Sequence, residues 1–407
     1  MDALEILTDL DNVFPYFQPI FSADEHRVIG YEVFGRYQGE NGVVSLGPFF
    51  LDEGIPEEYR LEVDHVVLKK ALEKFISISS EEDVLLFVNK DADLLMYDNA
   101  ESFLSLILEY QEKGITLDRI VLESTERAYK GNMEHLDHLM NYLRTYGIKI
   151  AIDNMGNERS HLDRIGQLAP NIIKVDLNEL RSTASAHVLH DILYTLSLMA
   201  RKIGATLLFK NIEMDYQLQF AWRNGGRYYQ GYYLHNPSEE FVDRDIMKEK
   251  LRGKCEQYIT YEKKKLEALH EVSEKFNEKL TQFLQVKNRK LLEYEELIKV
   301  LSQYLNDVSF RLYICDENGF QKSANIFKKD NNWIFQQQYL HKNWSWRPYF
   351  LENIMKMRND KKGILSDLYS DIETGETIRT FSYPLQSSDY LFVDLSYEFL
   401  YEREGLL

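Results

Sequence analysis

Cysteine and net positive charge are both scarce in this chain of 407 residues, and each scarcity excludes a class of protein. The only cysteines are Cys255 and Cys315, so a disulfide framework is excluded and a reducing cytosol is expected. Lys and Arg number 48 against 66 Asp and Glu, which gives a formal charge of −18. Because DNA and anionic membranes attract basic surfaces, we expect no nucleic-acid polymer as a partner and no binding to a charged membrane.

Long apolar runs are missing as well. A membrane-spanning helix needs about 20 consecutive apolar residues. The stretch that comes closest, 187–208, is interrupted by His190, Asp191, Arg201 and Lys202. The N-terminal residues MDALEILTDLDNVF are acidic and lack the basic start of a secretory signal. We therefore expect no membrane insertion and a cytoplasmic location.

The first half of the chain contains a row of short apolar runs that each end in polar residues. They are VIGYEVFGR with Glu32, LLFVN with Asn89, IVLE with Glu123, KIAID with Asp153, and IIKVD with Lys174 and Asp176. Such runs, separated by longer amphipathic stretches, are typical of buried parallel strands joined by helices. Polar groups at the C-terminal ends of successive strands are how a β/α barrel builds an active site.

The spacing of these runs predicts an α/β fold for residues 1–238. Strand-like runs begin near Tyr16 and recur near 28–34, 84–89, 119–124, 148–153, 172–176, 205–209 and 228–232. Helical patterns lie between them at 61–78, 100–113, 132–146, 186–203 and 214–224. About eight strands in roughly 240 residues fit one TIM-like β/α barrel.

Residues 239–305 differ in composition from the barrel region and predict a helical linker. Glycine is scarce there, Lys and Glu dominate, and apolar residues recur at intervals of three and four. Two interpretations stay open, a linker helix that packs on its own barrel and a coiled coil that joins two copies of the chain.

Residues 306–407 alternate short strands with turns and predict a small antiparallel α+β domain. Gly319 and Gly375 occupy expected hairpin turns, and one helix is expected near 347–358.

The strand-end residues of the barrel region are hard oxygen ligands. A cluster of Glu32, Asn89, Glu123 and Asp153 would suit Mg²⁺, Mn²⁺ or Ca²⁺ rather than zinc. A lysine beside them could hold a phosphate or act on an attacking water. For any one of these residues the alternative is a cap on the following helix, but the ordered row favours a shared site.

The motifs around these residues resemble those of the EAL-domain family, the cyclic di-GMP phosphodiesterases. The resemblance covers about 12–238 and includes FQPI (17–20), EVFGR (32–36) for E-A-L-x-R, FVNKDA (87–92), ESTE (123–126) for E-x-T-E, IDNMG (152–156) for D-D-F-G, KVD (174–176) and QGYYLHNP (230–237) for Q-G-Y-x-x-x-x-P. FKNIEM (209–214) stands where the family has the E-G-V-E loop. The helix-linked C-terminal domain points more closely to the YkuI-type members.

The resemblance implies a role for each matched residue. The metal ligands would be Glu32, Asn89, Glu123 and Asp153. The catalytic set would be Lys174, which orients water and phosphate, Glu126, which steadies the loop after Asp153, and Glu213, the second glutamate of the E-G-V-E loop. Ligand-binding residues would be Gln18, Pro19, Arg36, Asp176, Lys210, Gln230 and Pro237, with Arg36 on a phosphate. The family cuts one phosphodiester of cyclic di-GMP with metal-activated water.

Three departures from the family pattern bear on activity. Asn154 replaces the second Asp of D-D-F, which removes one negative charge from a second metal site. Lys210 stands where the E-G-V-E loop begins with Glu. This substitution reverses a charge, and two unit charges about 4 Å apart interact by roughly 4 kcal/mol at an effective dielectric near 20. The loop after Asp153 reads NMGNERSHL instead of F-G-T-G-Y-S-S-L.

These departures lead to a hypothesis about Lys210. We expect Lys210 to lie near Asp153 or the ligand phosphate and to supply part of a second metal's charge. The alternative is a Lys210 that points to solvent. The expected cofactor is Mg²⁺ or Mn²⁺ at one site rather than two, with Ca²⁺ as an inhibitor.

Three functions stay open. The first is a cyclic di-GMP receptor on a degenerate phosphodiesterase barrel, the second a weak or conditionally activated phosphodiesterase that yields linear pGpG, and the third a protein-interaction scaffold. The intact metal-ligand set and Arg36 argue against the scaffold, and Lys210 and Asn154 argue against the enzyme. The receptor is therefore favoured, and the resemblance implies a homodimer in a bacterial cytoplasm.

The C-terminal domain resembles the Cache/PAS class of sensory domains through WSWRPYFLENI (344–354) and SDLYSDIETGETIRTFSYPL (366–385). In that class such segments line a pocket for small carboxylates or amines. The expected pocket residues for an unidentified small ligand are Trp346, Arg347, Tyr349, Tyr369 and Asp371. The alternative is that the aromatic residues fill the domain core.

Overall fold

The computed structural model describes residues 3–78, 84–125, 129, 131–155, 168–178, 186–286, 292–347, 350–385, 388–403 and 405–406, without the side chains of 125, 154, 155 and 186–191. Contacts divide the chain into two compact units, Met1–Glu256 and Gln257–Leu407. The first contains the predicted barrel strands and the second the predicted antiparallel strands.

Eight strands of the described chain close into a barrel, which confirms the predicted TIM-like fold. The strands of this unit are β1 (Val13–Ser22), β2 (Val28–Gly39), β3 (Gly42–Ser45), β4 (Leu85–Asp91), β5 (Ile120–Thr125), β6 (Lys149–Met155), β7 (Ile172–Asp176), β8 (Thr206–Lys210) and β9 (Tyr228–Tyr229). β1 runs antiparallel to both of its ring neighbours, β2 and β9. β2 pairs in parallel with β4, and each strand from β4 to β8 pairs in parallel with the next one in the chain. β3 pairs only with β2, outside the ring.

One helix of this unit precedes β1, and further helices lie between the strands from β3 to β9. They are α1 (Ala3–Thr8), α2 (Gly47–Leu51), α3 (Glu57–Phe75), α4 (Ala92–Tyr97), α5 (Glu101–Glu112), α6 (Met133–Thr145), α7 (Ala186–Ile203) and α8 (Asp215–Arg223), with short 3₁₀ turns at Leu10–Asn12, Ile76–Ile78 and Leu117–Arg119. The helix expected at 61–78 begins earlier, at Glu57. Its first turn carries Glu57 and Glu58, and negative side chains stabilise a helix N-terminus.

A layer of apolar side chains fills the barrel and sets the height of the polar residues above it. The cluster consists of Ile20, Ile29, Phe87, Val121, Ala151, Ile172 and Leu208. Gly30 makes room for it, because a Cβ atom there would lie 2.9 Å from the Phe87 ring. Side chains alternate between the two faces of a strand. The residue two positions further along each strand therefore faces the same interior.

The second unit is built on an antiparallel sheet. Its strands are β10 (Ser309–Asp316), β11 (Asn325–Lys329), β12 (Asn332–Gln336), β13 (Ile364–Leu365), β14 (Tyr369–Ser370), β15 (Thr377–Ile378), β16 (Thr380–Pro384) and β17 (Asp389–Leu395). Six of them form a sheet in the order β12-β11-β10-β17-β16-β13, and β14 and β15 form a separate pair. Gly375 lies in the turn between β14 and β15 with φ +72°, a backbone angle that glycine adopts without strain.

The remaining helices are α9 (Lys248–Gln285), α10 (Tyr294–Tyr304), α11 (Phe350–Asp360) and α12 (Tyr397–Tyr401), with a 3₁₀ turn at Gln337–Tyr339. The boundary between the two units falls inside α9. Apolar residues of α9 at intervals of three and four, Val272, Phe276, Leu280 and Phe283, join one buried cluster with Leu301 of α10 and with strand residues of the sheet. Residues of the predicted linker 239–305 thus contribute to the core of the second unit, and the three-part division stays a prediction.

No helix among the described residues combines the length and the apolar character that crossing a membrane requires. α7, which covers most of the stretch 187–208, carries Arg201 and Lys202 in its last turn.

Candidate functional site

Polar side chains form a layer directly above the apolar cluster of the barrel. Most of them lie two residues from a side chain that belongs to the cluster or packs against it: Gln18 from Ile20, Asn89 from Phe87, Glu123 from Val121, Asp153 from Ala151, Lys174 from Ile172, Lys210 from Leu208 and Gln230 from Tyr228. Glu32 joins them because it is the register partner of Gln18. We call these eight side chains the polar layer. Strand alternation and the closed ring explain why residues so distant in sequence converge.

Lys174 occupies the interior of the polar layer and is fully buried. Its ammonium donates to Glu32 Oε2 at 2.7 Å and to both carboxylate oxygens of Glu123 at 2.7 Å. The three residues come from β7, β2 and β5. Moving an ion from water into the protein interior costs several kcal/mol. The attraction between buried opposite charges offsets this cost only when hydrogen bonds also satisfy their polar atoms. This arrangement therefore depends on all three groups being present.

Two amide side chains also donate hydrogen bonds to Glu32. Asn89 Nδ2 donates to Glu32 Oε1 at 2.8 Å, and Gln230 Nε2 donates to Glu32 Oε2 at 2.6 Å. Gln230 Nε2 also lies 3.2 Å from Gln18 Oε1. The Oε1 atom of Gln230 is buried and has no hydrogen-bond partner. A buried acceptor without a partner indicates a position that a ligand donor or a cation can satisfy.

The charges at the centre of the polar layer are unbalanced. Burial opposes the ionisation of Glu32, but the Lys174 ammonium outweighs it and lowers the pKa of Glu32 to about 2. Burial and the neighbouring Glu32 carboxylate raise the pKa of Glu123 to about 8. Burial also disfavours the charged form of Lys174, yet the Glu123 and Glu32 carboxylates raise its pKa. One ammonium therefore balances one carboxylate, and the other carboxyl group binds a proton near neutral pH unless a cation is close.

A second lysine lies at the rim of the polar layer. Lys210, the last residue of β8, donates from Nζ to Asp153 Oδ2 at 2.8 Å, and its Nζ lies 4.0 Å from Asp176 Oδ2. The two side chains of the close pair are 16% and 9% exposed. The sequence hypothesis named Asp153 or a ligand phosphate as the neighbour of Lys210. The contact with Asp153 is present in the structure, and the role of Lys210 in ligand binding stays a prediction.

The other predicted residues of this region lie beside the polar layer. Asp176 is buried and accepts hydrogen bonds from Asn211 Nδ2 at 2.7 Å and from the Asn178 backbone N–H at 2.9 Å. Glu213 is exposed, and its Oε1 accepts from Asn178 Nδ2 at 3.3 Å. Glu126 and the side chain of Asn154 lie outside the described residues.

Two predicted ligand contacts are the prolines Pro19 and Pro237. Pro19 is buried opposite Tyr31, and strand alternation turns it to the face of β1 away from the polar layer. Pro237 is half-buried, and the next residue, Ser238, exchanges backbone hydrogen bonds with Phe17. The structure thus turns Pro19 away from the polar layer, whereas the antiparallel pairing of Ser238 with Phe17 places Pro237 beside Gln18.

The donor chemistry of the polar layer fits a hard divalent cation. Glu32, Glu123, Asp153 and the amide of Asn89 supply oxygen atoms, which Mg²⁺, Mn²⁺ and Ca²⁺ prefer. The unpaired Gln230 Oε1 and the raised pKa of Glu123 both indicate a place for further positive charge. In the described part of the chain, however, no group of three or more His, Cys, Asp or Glu side chains is arranged to hold a metal ion. The ammonium groups of Lys174 and Lys210 contact oxygens of Glu32, Glu123 and Asp153 instead.

Comparison with known protein families decides the assignment. Residues 1–237 match the family described as EAL domain, and residues 241–407 match the family described as EAL-domain associated signalling protein domain. This chain belongs to the EAL-domain family. The match confirms the family that the sequence motifs predict.

Relatives support the same family. The uncharacterised EAL-domain containing protein YkuI of Bacillus subtilis (strain 168) is 54% identical over 408 residues, which cover 100% of both chains. The crystal structure of YkuI in complex with substrate c-di-GMP and calcium has a TM-score of 0.95 over 100% of both chains. The cyclic di-GMP phosphodiesterase PdeA of Borreliella burgdorferi is 29% identical over 182 residues, 41% of this chain and 27% of that protein. A c-di-GMP complex of the PaMucR phosphodiesterase, at 21% identity and a TM-score of 0.51, covers 58% of this chain and 98% of its own and shows the shared fold.

The surrounding backbone explains why the Q-G-Y motif of this EAL barrel has glycine at position 231. A Cβ atom on Gly231 would lie 2.1 Å from the carbonyl oxygen of Ile212, so no side chain fits there. The close approach lets Ile212 exchange backbone hydrogen bonds with Gln230 and Tyr233. Gly231 therefore packs the segment after β8 against the residue that carries the unpaired amide oxygen.

The predicted sensory residues of the second unit lie only in part around a cavity. A cavity of about 100 Å³ has Arg347 and Asp371 in its lining, together with Arg311, Tyr339, Lys342 and Glu373. Trp346 is 64% exposed, and Tyr369 OH lies 2.6 Å from Thr380 Oγ1. Neither is part of the cavity lining, and Tyr349 lies outside the described residues.

The sequence prediction missed three charged residues of this cavity, Arg311, Lys342 and Glu373, of which Arg311 is buried. Arg311 donates to Asp394 Oδ2 at 2.5 Å, to Asp371 Oδ1 at 2.5 Å and to Glu373 Oε2 at 3.0 Å. A single Arg inside the otherwise uncharged run FRLYIC was the available signal. A charged residue in such a strand is expected to be paired, but its partners lie 60 or more residues away in the chain.

Proposed function

We propose that this chain is a cyclic di-GMP receptor and that its EAL barrel hydrolyses the ligand slowly or not at all. The observation that carries the proposal is the ion pair between Lys210 Nζ and Asp153 Oδ2 at 2.8 Å. Binding is supported by the full-length similarity to YkuI, which was crystallised with c-di-GMP and calcium. The polar layer supplies the carboxylates and the unpaired amide oxygen that such a ligand and its cation would use.

The same residues would hold one divalent cation. Glu32, Asn89, Glu123 and Asp153 would be its ligands, and we propose Mg²⁺ or Mn²⁺, with Ca²⁺ supporting binding but inhibiting any hydrolysis. When bound, such a cation supplies charge for a phosphate and lowers the pKa of a bound water. Lys174 holds Glu32 and Glu123 in place, and Arg36 would contact the second phosphate of the cyclic dinucleotide.

The ion pair of Lys210 argues against a second cation. An ammonium that donates to Asp153 adds positive charge where the family pattern has a glutamate. Like charges about 4 Å apart repel by roughly 4 kcal/mol per unit pair at an effective dielectric near 20, and a divalent ion doubles that figure. Position 210 also lacks a carboxylate that could position an attacking water. The layer therefore retains the groups for binding and lacks one for hydrolysis.

A weak or conditionally activated phosphodiesterase is the second candidate. Its support is the set of three buried residues, Lys174, Glu32 and Glu123, together with the exposed Asn89, whose hydrogen bonds converge within the polar layer. Linear pGpG would be the product. If a slow activity exists, chromatography of overnight incubations with Mn²⁺ detects pGpG in wild type, and Glu123→Gln abolishes it.

Calorimetry tests the receptor directly. Cyclic di-GMP is titrated into the full chain in buffer with Ca²⁺, and the same titration is run on Arg36→Ala and on Arg201→Ala, an exposed arginine of α7. We expect saturable binding by wild type and Arg201→Ala and at least tenfold weaker binding by Arg36→Ala. Absence of binding by wild type contradicts the proposal and favours the scaffold interpretation.

We also propose that the second unit binds a small zwitterion or carboxylate. The cavity of about 100 Å³ presents Arg347 and Lys342 as cations and Asp371 and Glu373 as anions, which suits a ligand with both charges. Thermal-shift screening of the full chain against amino acids, carboxylates and amines tests this. A hit should be lost in Arg347→Ala and kept in Arg358→Ala, whose side chain is 60% exposed. A screen without a single stabilising compound contradicts the proposal.

The homodimer that the family resemblance implies is a further proposal. Sedimentation velocity of the full chain, with and without cyclic di-GMP, tests it, and a single monomeric species at micromolar concentration would contradict it.

A further inference from the structure

β1 and β2 continue beyond the barrel ring and carry an ordered ladder of side chains. β4 pairs with β2 only as far as Glu32, whereas β1 and β3 pair with β2 further along. Register partners along the interior face are Gln18 with Glu32 and then Tyr16 with Phe34. Arg36 follows on the same face, about 13 Å beyond Glu32 at roughly 3.3 Å per residue.

Arg36 is fixed at the end of this ladder by four contacts. Its guanidinium carbon lies 5.2 Å from the centre of the Tyr16 ring and 5.8 Å from the centre of the Phe34 ring. Its Nη1 donates to the Gly35 carbonyl oxygen at 2.9 Å and to Ser45 Oγ at 3.3 Å. A cation within about 6 Å of a ring centre is attracted by the negative face of the ring. The half-buried Arg36 side chain therefore has fewer conformations than a free arginine.

Phe34 is a departure from the family motif. It stands where E-A-L-x-R has leucine, and a leucine has no aromatic face for a guanidinium. The ring that this chain adds at position 34 lies between the metal-ligand residue Glu32 and Arg36 in the motif EVFGR. Phenylalanine in place of leucine at position 34 therefore changes the surroundings of Arg36 and leaves the charges of the polar layer unchanged.

We infer that Tyr16 and Phe34 are positioning residues that hold Arg36 ready for a ligand phosphate. The inference rests on the proposed function, because it assumes that Arg36 contacts cyclic di-GMP. Holding a flexible side chain in its bound conformation strengthens binding, since the side chain loses less freedom when the ligand arrives. The rings do not need to contact the ligand for this effect, and their contribution passes through Arg36.

A double-mutant cycle distinguishes this role from a direct contact. Cyclic di-GMP binding in buffer with Ca²⁺ is measured by calorimetry for wild type, Phe34→Leu, Arg36→Ala and Phe34→Leu/Arg36→Ala, and the same set is made with Tyr16→Leu. Tyr16→Phe and Phe34→Tyr retain a ring and serve as conservative controls. Tyr142→Leu, an exposed tyrosine of α6, is the surface control. Melting temperatures verify that every variant is folded.

We expect Phe34→Leu and Tyr16→Leu each to weaken binding about three- to tenfold, the effect of freeing one side chain at an interface. The ring-retaining variants and Tyr142→Leu should bind like wild type. In the Arg36→Ala background the leucine substitutions should have no further effect, because residues that act through one another are not additive.

Losses that add fully in the double mutants, or leucine variants that bind like wild type, overturn the inference while the proposed function stands. Absence of binding by wild type overturns the proposed function and the inference together.

Discussion

Lys210 Nζ and Asp153 Oδ2 lie 2.8 Å apart, so an ammonium binds the carboxylate that the family motif assigns to a metal. This pair links a single sequence departure to a change in chemistry. The Asp153 side chain is 9% exposed, and the Lys210 ammonium already neutralises part of its charge. We therefore propose that the barrel retains a ligand site with less capacity for divalent ions.

Divalent-ion stoichiometry should respond to this pair. We predict that wild type binds one Mn²⁺ per chain and that Lys210→Glu binds a second ion or binds the first at least tenfold more tightly. Titration followed by electron paramagnetic resonance counts the bound ions. Lys202→Glu, which makes the same charge change at an exposed position of α7, should bind like wild type. Equal stoichiometry and affinity in all three proteins would contradict the role assigned to Lys210.

Lys174 should be essential for the stability of the barrel. Lys174→Met leaves the buried carboxyl groups of Glu32 and Glu123 without their cation, and breaking a buried pair in this way costs about 3–5 kcal/mol. Urea unfolding at pH 7 measures the loss. The loss should shrink at pH 5, where a carboxyl group that has lost its partner binds a proton more readily. Lys202→Met should change the free energy of unfolding by less than about 0.5 kcal/mol.

Glu123 should make stability and cation binding depend on pH. Its pKa in the folded protein is raised to about 8 from an ordinary 4.5. Because the pKa is raised, the folded protein favours the protonated form of Glu123. The stability that this form contributes is complete below pH 4.5 and is lost as pH rises through 8. The side chain at position 123 of the Glu123→Gln variant cannot ionise. The free energy of unfolding of the variant should therefore rise relative to that of wild type between pH 5 and 8, by a few kcal/mol in total at about 1.4 kcal/mol per pKa unit.

Adding Mg²⁺ should reduce this difference at pH 8, because a cation favours ionised Glu123 in the wild type. Parallel unfolding curves for wild type and Glu123→Gln across this pH range would contradict the electrostatic account.

The buried charge network of the second unit should be equally sensitive. Arg311→Met leaves the carboxylates of Asp371, Glu373 and Asp394 without their shared guanidinium, and we expect a loss of about 3–5 kcal/mol. Tryptophan fluorescence reports this loss, since three of the four tryptophans lie at 333, 344 and 346. Arg358→Met, at an exposed position, is the control.

The same network predicts acid sensitivity. Burial opposes the ionisation of Asp371, but its hydrogen bond from Arg311 lowers its pKa below 3.8. Its contribution to stability is therefore present above pH 3.8 and lost as pH falls below that value. Wild type should lose stability in that range more steeply than Asp371→Asn, and equal slopes would count against the pairing.

Strand periodicity predicted the fold and five residues of the polar layer, whereas Gln18, Lys210 and Gln230 were predicted only through the resemblance to the EAL-domain family. Apolar runs that end in Glu32, Asn89, Glu123 and Asp153 place those residues at the same end of parallel strands. Helix positions were also predictable from apolar residues at intervals of three and four. The start of α3 was not, since acidic residues of its first turn extend it to Glu57.

The pairing of Lys174 could not be predicted, because it depends on contacts across the barrel, whereas Asp153 was one of the two neighbours that the sequence hypothesis named for Lys210. Lys174 binds two carboxylates that lie 142 and 51 residues away in the chain. The outward turn of Pro19 depends on the register of β1 against β2. The three carboxylate partners of Arg311 lie 60 to 83 residues away in the chain. Motif order identifies which residues share a site but not which atoms bind.

A hydrolysis time course measures the central claim most directly. Cyclic di-GMP is incubated with saturating full-length protein and Mg²⁺ or Mn²⁺, and linear pGpG is quantified for wild type, Lys210→Glu and Lys202→Glu. The account predicts that wild type and Lys202→Glu bind the nucleotide but release little or no pGpG, and that Lys210→Glu gains activity. Turnover by wild type within the usual range of enzymes, about 1–1,000 per second, would contradict it.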